Sequence, residues 1–212
     1  TPEGTVRHRH RDRLGAMLQR RAEYGTSEAT LHSLHRDKRK RFPLAPAPLA
    51  TAVAVSVAVL GREPRLLAVC LTPPLIDGAR RFLRLRQKGV DMPVRHVCSS
   101  VLRGHLSLLY FVYFHLVRYY LLPLTVVGLF VPRVRRLLPV AAFYSSAVDY
   151  FARRPRMGYL PYLAYYLAEH AAYQLGVITG SIRARTFRSY LPTVQRDRLP
   201  LEEAPAAVLP IK

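Results

Sequence analysis

The chain has 212 residues, half of them hydrophobic, and sets 33 Lys plus Arg against 13 Asp plus Glu for a formal charge of +20. Such a surface attracts polyanions, and the Tyr and Phe residues interleaved with long aliphatic runs favour anionic lipid over nucleic acid. Two cysteines, Cys70 and Cys98, without a CxxC spacing leave no cysteine metal cluster and no disulfide framework, and the sequence holds no Gly-rich phosphate loop, Ser-His-Asp order or HExxH.

Residues 5–10, TVRHRH, alternate in character and predict a short strand. Asp12 stands where a helix N-cap is expected, ahead of Leu14, Met17 and Leu18 at helical spacing. Gly25 is expected to stop that helix, with Thr26 or Ser27 capping the next and Glu28 suiting its positive end. The second helix carries Ala29, Leu31 and Leu34 and runs into the cations Lys38–Arg41. The chain opens without Met and without a charged-then-apolar leader, which reads as an N-terminal truncation.

Residues 42–61 carry no charge and are long enough to span a bilayer core, although Pro43, Pro46 and Pro48 weaken the first third as helix. A second apolar run, Leu66 to Ile76, makes the pair read as a membrane hairpin, with the preceding cations on the cytoplasmic side. Arg80 to Lys88 reads as a basic helix lying among headgroups. In the aromatic region 101–151, Arg103, Arg118, Arg133 with its neighbours Arg135 and Arg136, and Asp149 leave uncharged stretches of roughly 14 residues or fewer, short for spanning, so in-plane amphipathic helices are expected. Pro123 is expected to break or kink any continuous helix there. A further helix is expected from Tyr159 to about Tyr173, and the Pro- and Ala-rich C-terminus reads as loose.

Few side chains are grouped for chemistry. His8 and His10 share a face of the predicted strand and suit one metal ion, or else a solvated basic strand end. Asp149 has Arg153 and Arg154 as partners within reach on a helix. Glu169, His170 and Tyr173 fall within about one turn, and Gly176 and Gly180 are spaced to let a neighbouring helix approach closely.

Two stretches resemble a known family. VRHRHR followed by RRAEYGTSEATL resembles the end of the catalytic domain in family-2 inverting glycosyltransferases, where a strand ending V-x-H precedes a helix with paired Arg and a Y-G-[ST]-S turn. The segment Ala171–Pro192, AAYQLGVITGSIRARTFRSYLP, resembles the end of the mycofactocin-system members in particular. The resemblance implies a GT-A fold, a nucleotide-sugar donor, a divalent cation (Mg or Mn) and action at the cytoplasmic side of the cell membrane. The implied acceptor is a peptide-derived redox cofactor precursor decorated with glucose.

The chain has no DxD pair to hold the cation on the donor diphosphate, so the resemblance implies a C-terminal fragment or one half of a split enzyme. It assigns leaving-group stabilisation to Arg20 and Arg21, substrate binding to Gln19, Tyr24, Gly25, Thr26 and Ser27, and a place near the metal to His8. Gln19 meets part of the Q-x-x-R-W pattern, but the chain has no Trp, which departs from processive polymer synthesis. The expected architecture is mainly α. A GT-A α/β remnant fills residues 1–41, a membrane hairpin 42–76, basic and aromatic membrane-associated helices 77–192, and a loose tail 193–212. The alternative reading is a non-enzymatic basic module that anchors to the membrane or recruits a partner.

Overall fold

The structure, a computed structural model, describes residues 13–35, 41–43, 45–62, 65–191 and 193–195. The strand expected at 5–10, the Asp12 cap and His8 lie outside these residues. The described chain is mainly helical: α1 (Leu14–Leu34), α2 (Pro46–Gly61), α3 (Arg65–Cys70), α4 (Thr72–Gln87), α5 (Val94–Phe130), α6 (Pro132–Arg153) and α7 (Tyr159–Arg183). Two three-residue strands, β1 (Arg41–Pro43) and β2 (Thr193–Gln195), pair in parallel, so the first residues of the expected loose tail return to the segment before α2.

Gly25 does not stop a helix; α1 runs through it without a break for 21 residues. Nor do Thr26 and Ser27 cap a new helix, because their hydroxyls donate back to the carbonyls of Ala22 (2.9 Å) and Tyr24 (2.8 Å). The physical reason is α7, whose backbone packs directly against Gly25. The uncharged run begins its helix at Pro46 rather than at residue 42, with prolines confined to the first turn, where the missing N–H has no intrahelical acceptor to lose. The second apolar run is divided between α3 and the first turn of α4.

The in-plane helices expected over 101–151 are replaced by one 37-residue helix, α5, followed by the 22-residue α6. At 1.5 Å per residue α5 extends about 55 Å, and it is long and apolar enough to cross a membrane. Arg118 does not interrupt its outer surface, because the guanidinium turns inward and lies 3.8 Å from the ring centroid of Tyr173 on α7.

Pro123 does not end α5 either. The fully buried side chain of Gln174 reaches across from α7, accepting from the Leu122 N–H at 2.7 Å and donating to the Val117 carbonyl at 2.9 Å. It supplies partners in the turn just before the proline, where the ring disturbs the hydrogen-bond ladder.

The core lies where α2, α5, α6 and α7 meet, around Tyr113, Val117, Ala141 and Tyr166. A smaller cluster joins Tyr119 to Tyr173 and Val177. Outside it, large apolar side chains stay uncovered; Phe130 is 80% and Leu160 74% exposed. So much uncovered apolar surface is unusual for a water-facing monomer. The peripheral α4 has no buried residue and carries Arg80, Arg81, Arg84 and Arg86. It is tethered through His105, whose Nδ1 shares a hydrogen bond with Thr51 Oγ1 on α2 (2.8 Å) and whose Nε2 faces Asp77 Oδ2 on α4 (3.4 Å).

Candidate functional site

α1 and α7 approach until their backbones touch. A Cβ built on Gly25 would stand 2.8 Å from the Val177 nitrogen and closer still to the Tyr173 carbonyl oxygen. At Gly176 and Gly180 it would stand 2.9 Å from the Cα of Ala22 and of Thr26. Ala22 meets Gly176 and Thr26 meets Gly180, so the contacts advance together and the two helices run parallel. The spacing of Gly176 and Gly180 serves close approach, as their sequence pattern implies. Gly25 belongs to the same seam and is needed for its missing side chain, not for a turn.

This seam divides the predicted site residues between two faces of α1. Gly25 is buried in the seam with Thr26 beside it. Arg21 points the same way and forms an ion pair from Nη2 to Glu169 Oε1 on α7 at 3.0 Å. Gln19, Arg20, Tyr24 and Ser27 lie on the opposite, exposed face. There Arg20 pairs with Glu23 at 2.9 Å and stacks 4.8 Å above the Tyr24 ring, while Gln19 donates to Glu23 at 3.2 Å. Glu28 does not face a helix end; its Oε1 accepts from the hydroxyls of Tyr119 and Tyr173.

Beneath the N-terminal half of α1 is a partly open pocket of about 120 Å³ with mixed polar and apolar walls. It joins Arg118 from α5, Asp149 and Arg153 from α6, and Glu169 and His170 from α7, with Phe114, Tyr162 and Tyr166 as aromatic walls. Asp149 accepts from the Tyr110 hydroxyl at 2.8 Å and faces Arg153 at 3.8 Å, so the i+4 arginine is in place but the tyrosine is the nearer partner. His170 is 3% exposed, its ring edge-on to Tyr166 and Phe114 with centroids 4.3 and 5.4 Å away. Its Nδ1 is buried and finds no hydrogen-bond partner among the described residues.

Sequence reasoning singled out Glu169, His170 and Asp149 without seeing that they share a pocket, and it missed Arg118, Phe114 and Tyr162 as lining. Arg118 did carry a signal, since a lone charge inside an apolar helix usually turns inward to a polar interior. Among the described residues no group of three His, Cys, Asp or Glu is placed to hold a metal ion. The divalent cation implied by the resemblance thus has no candidate ligand set among the described residues, and His8 lies outside them.

Two curated proteins from Mycobacterium tuberculosis, of strains CDC 1551 / Oshkosh and ATCC 25618 / H37Rv, match the chain, each described as a pre-mycofactocin glycosyltransferase. Each is 26% identical over 210 residues, covering 92% of this chain and 42% of the relative. The chain is distantly related to a glycosyltransferase. It spans less than half the length of these relatives. No protein-family model and no solved structure matches it.

Proposed function

We propose that this chain is the membrane-associated C-terminal part of a family-2, GT-A glycosyltransferase, whose donor-binding half lies outside these 212 residues. The reaction moves a sugar, glucose in our reading, from a nucleotide-sugar donor to a peptide-derived redox cofactor precursor. One observation carries the reading. The two stretches that resemble the family, Arg20–Leu31 and Ala171–Pro192, stand at opposite ends of the sequence, yet they form one glycine-interlocked helix pair. The apolar α5 anchors the pair at the membrane, with the cations Lys38–Arg41 toward the cytoplasm.

The two faces of α1 then divide the labour. Arg20 is exposed, and its contacts with Glu23 and the Tyr24 ring are weak surface ones, so it can turn to meet the donor diphosphate as charge builds on the leaving oxygen. Tyr24 beside it offers a ring to a sugar, and Gln19 an amide. Arg21 is engaged by Glu169 and positions the pocket side rather than the diphosphate.

The test is a chimera in which this chain replaces the matching segment of the Mycobacterium tuberculosis relative, assayed in membranes with labelled nucleotide sugars and a peptide acceptor. The chimera transfers sugar, Arg20→Ala lowers its turnover roughly 100- to 1,000-fold with little change in melting, and the isolated chain transfers none. Wild-type turnover in Arg20→Ala removes Arg20 from the diphosphate, transfer by the isolated chain sinks the fragment reading, and a chimera that transfers nothing favours the non-enzymatic anchoring module.

A further inference from the structure

We infer that the pocket under α1 is a binding subsite for one pyranose ring, and, resting on the glycosyltransferase reading, that the ring belongs to the glycosyl acceptor. The chemistry of the walls selects the ligand class. Asp149 and Glu169, which carry carboxylates, line one small space together with Arg118 and Arg153, which carry guanidiniums. An anion there would meet both carboxylates, and a cation both arginines. A sugar hydroxyl both donates and accepts, so it satisfies either kind of wall. Tyr162, Tyr166 and Phe114 supply apolar surface for the C–H faces of the ring, in the usual pattern of an apolar site with a few placed polar groups.

His170 provides the independent observation. A buried ring nitrogen without a partner is destabilising, and helix packing alone would favour an apolar side chain in its place. The contacts to Tyr166 and Phe114 use only the shape of its ring, which phenylalanine shares. A hydroxyl bound in the pocket gives Nδ1 the partner it lacks. The pocket is small, about 120 Å³, which favours a single ring over a chain of sugars. The position adds a reason, because ionisable groups carried on an apolar helix and turned to its interior side commonly mark substrate sites.

The experiment uses the whole chain in lipid nanodiscs, since sugar-headed detergents would occupy the site. Saturation-transfer NMR is recorded with methyl β-D-glucopyranoside, with inorganic phosphate as competitor. The sugar's ring protons receive saturation, and phosphate does not displace it. Asp149→Asn and His170→Phe each weaken binding about 10-fold or more. His170→Phe at the same time keeps or raises the melting temperature, which a merely structural histidine would do without touching sugar binding.

Silence from the sugar with wild-type protein means a water-filled cavity only and overturns the inference. So does displacement by phosphate, or unchanged affinity in folded His170→Phe. The two readings fail separately. A chain that binds the glucoside while its chimera transfers nothing loses the enzyme reading and keeps the subsite; an active chimera with a sugar-silent pocket loses the subsite alone.

Discussion

The α1–α7 seam and the α4 flank are built from similar materials and reach opposite outcomes. Both helices carry arginines, a mid-helix glycine and scattered apolar residues. α1 is buried along one face because Gly25, Gly176 and Gly180 let two backbones meet, and the approach brings Arg21 to Glu169. α4 has Gly78 in a comparable mid-helix place, but nothing lies within 4 Å of where its Cβ would be, and no residue of α4 is buried. Composition therefore does not decide burial here. What decides it is whether small residues on two helices coincide in space, since close-packed backbones leave no room for even one methyl group.

The strongest way to break the comparison is Gly176→Ala. The new methyl meets the Ala22 backbone, which cannot swing aside as a side chain would. Melting in detergent should show a loss of about 3 kcal/mol, the upper part of the overpacking range, and the Arg21–Glu169 pair should part. Unchanged melting would mean that the seam is looser than described. Gln174→Leu comes next. It leaves the Leu122 N–H and the Val117 carbonyl without their side-chain partner beside Pro123. The expected cost is about 1–3 kcal/mol in all, read as a lower denaturant midpoint. A neutral result would show that the helix closes over the proline unaided.

On the other flank the same kind of change reverses sign. Gly78→Ala enters open space on a helix and should stabilise by up to about 1 kcal/mol, the propensity difference between the two residues. Destabilisation would place a partner against α4. The smallest effect is acidic. Burial works to raise the Asp77 carboxyl, but the hydrogen bond and charge of Arg81, helped by His105, outweigh it and hold the group below its ordinary value. A carboxyl lowered in the folded state adds stability above its ordinary value near pH 3.9, and that stability is lost as pH falls through the lowered one. Melts of wild type and Asp77→Asn at descending pH should therefore converge below about pH 4; parallel curves would remove Asp77 from the tether.

Much of the secondary structure was legible. The uncharged run became α2, and the glycine pair in α7 serves close approach as its spacing implied. The misreadings share one cause. Gly25 can end a helix or admit another helix, and Pro123 can break one or be bridged, and sequence spacing cannot tell these apart. Arg118 seemed to cut an apolar run in two because a charge is costly on a lipid-facing surface; that it turns onto Tyr173 depends on a helix some fifty residues further on. The site was legible in the same partial way. Glu169 and His170 stood out as neighbours on a helix, but a pocket needs walls, and those come from α5 and α6.

What the sequence determined by itself is whatever depends on local period and composition: a mainly helical chain, strongly basic, with one region apolar enough to meet a membrane. Those properties follow from side chains repeating along one helix, so distance along the chain is enough to see them. Only the tertiary structure decided that Gly25 is a contact and not a stop, that Arg21 meets Glu169 while Arg20 stays exposed, and that Arg118, Asp149 and His170 surround one space. Each of these rests on which distant backbone comes within a few ångströms of another, and close packing fixes that by shape, which the linear order of residues does not carry.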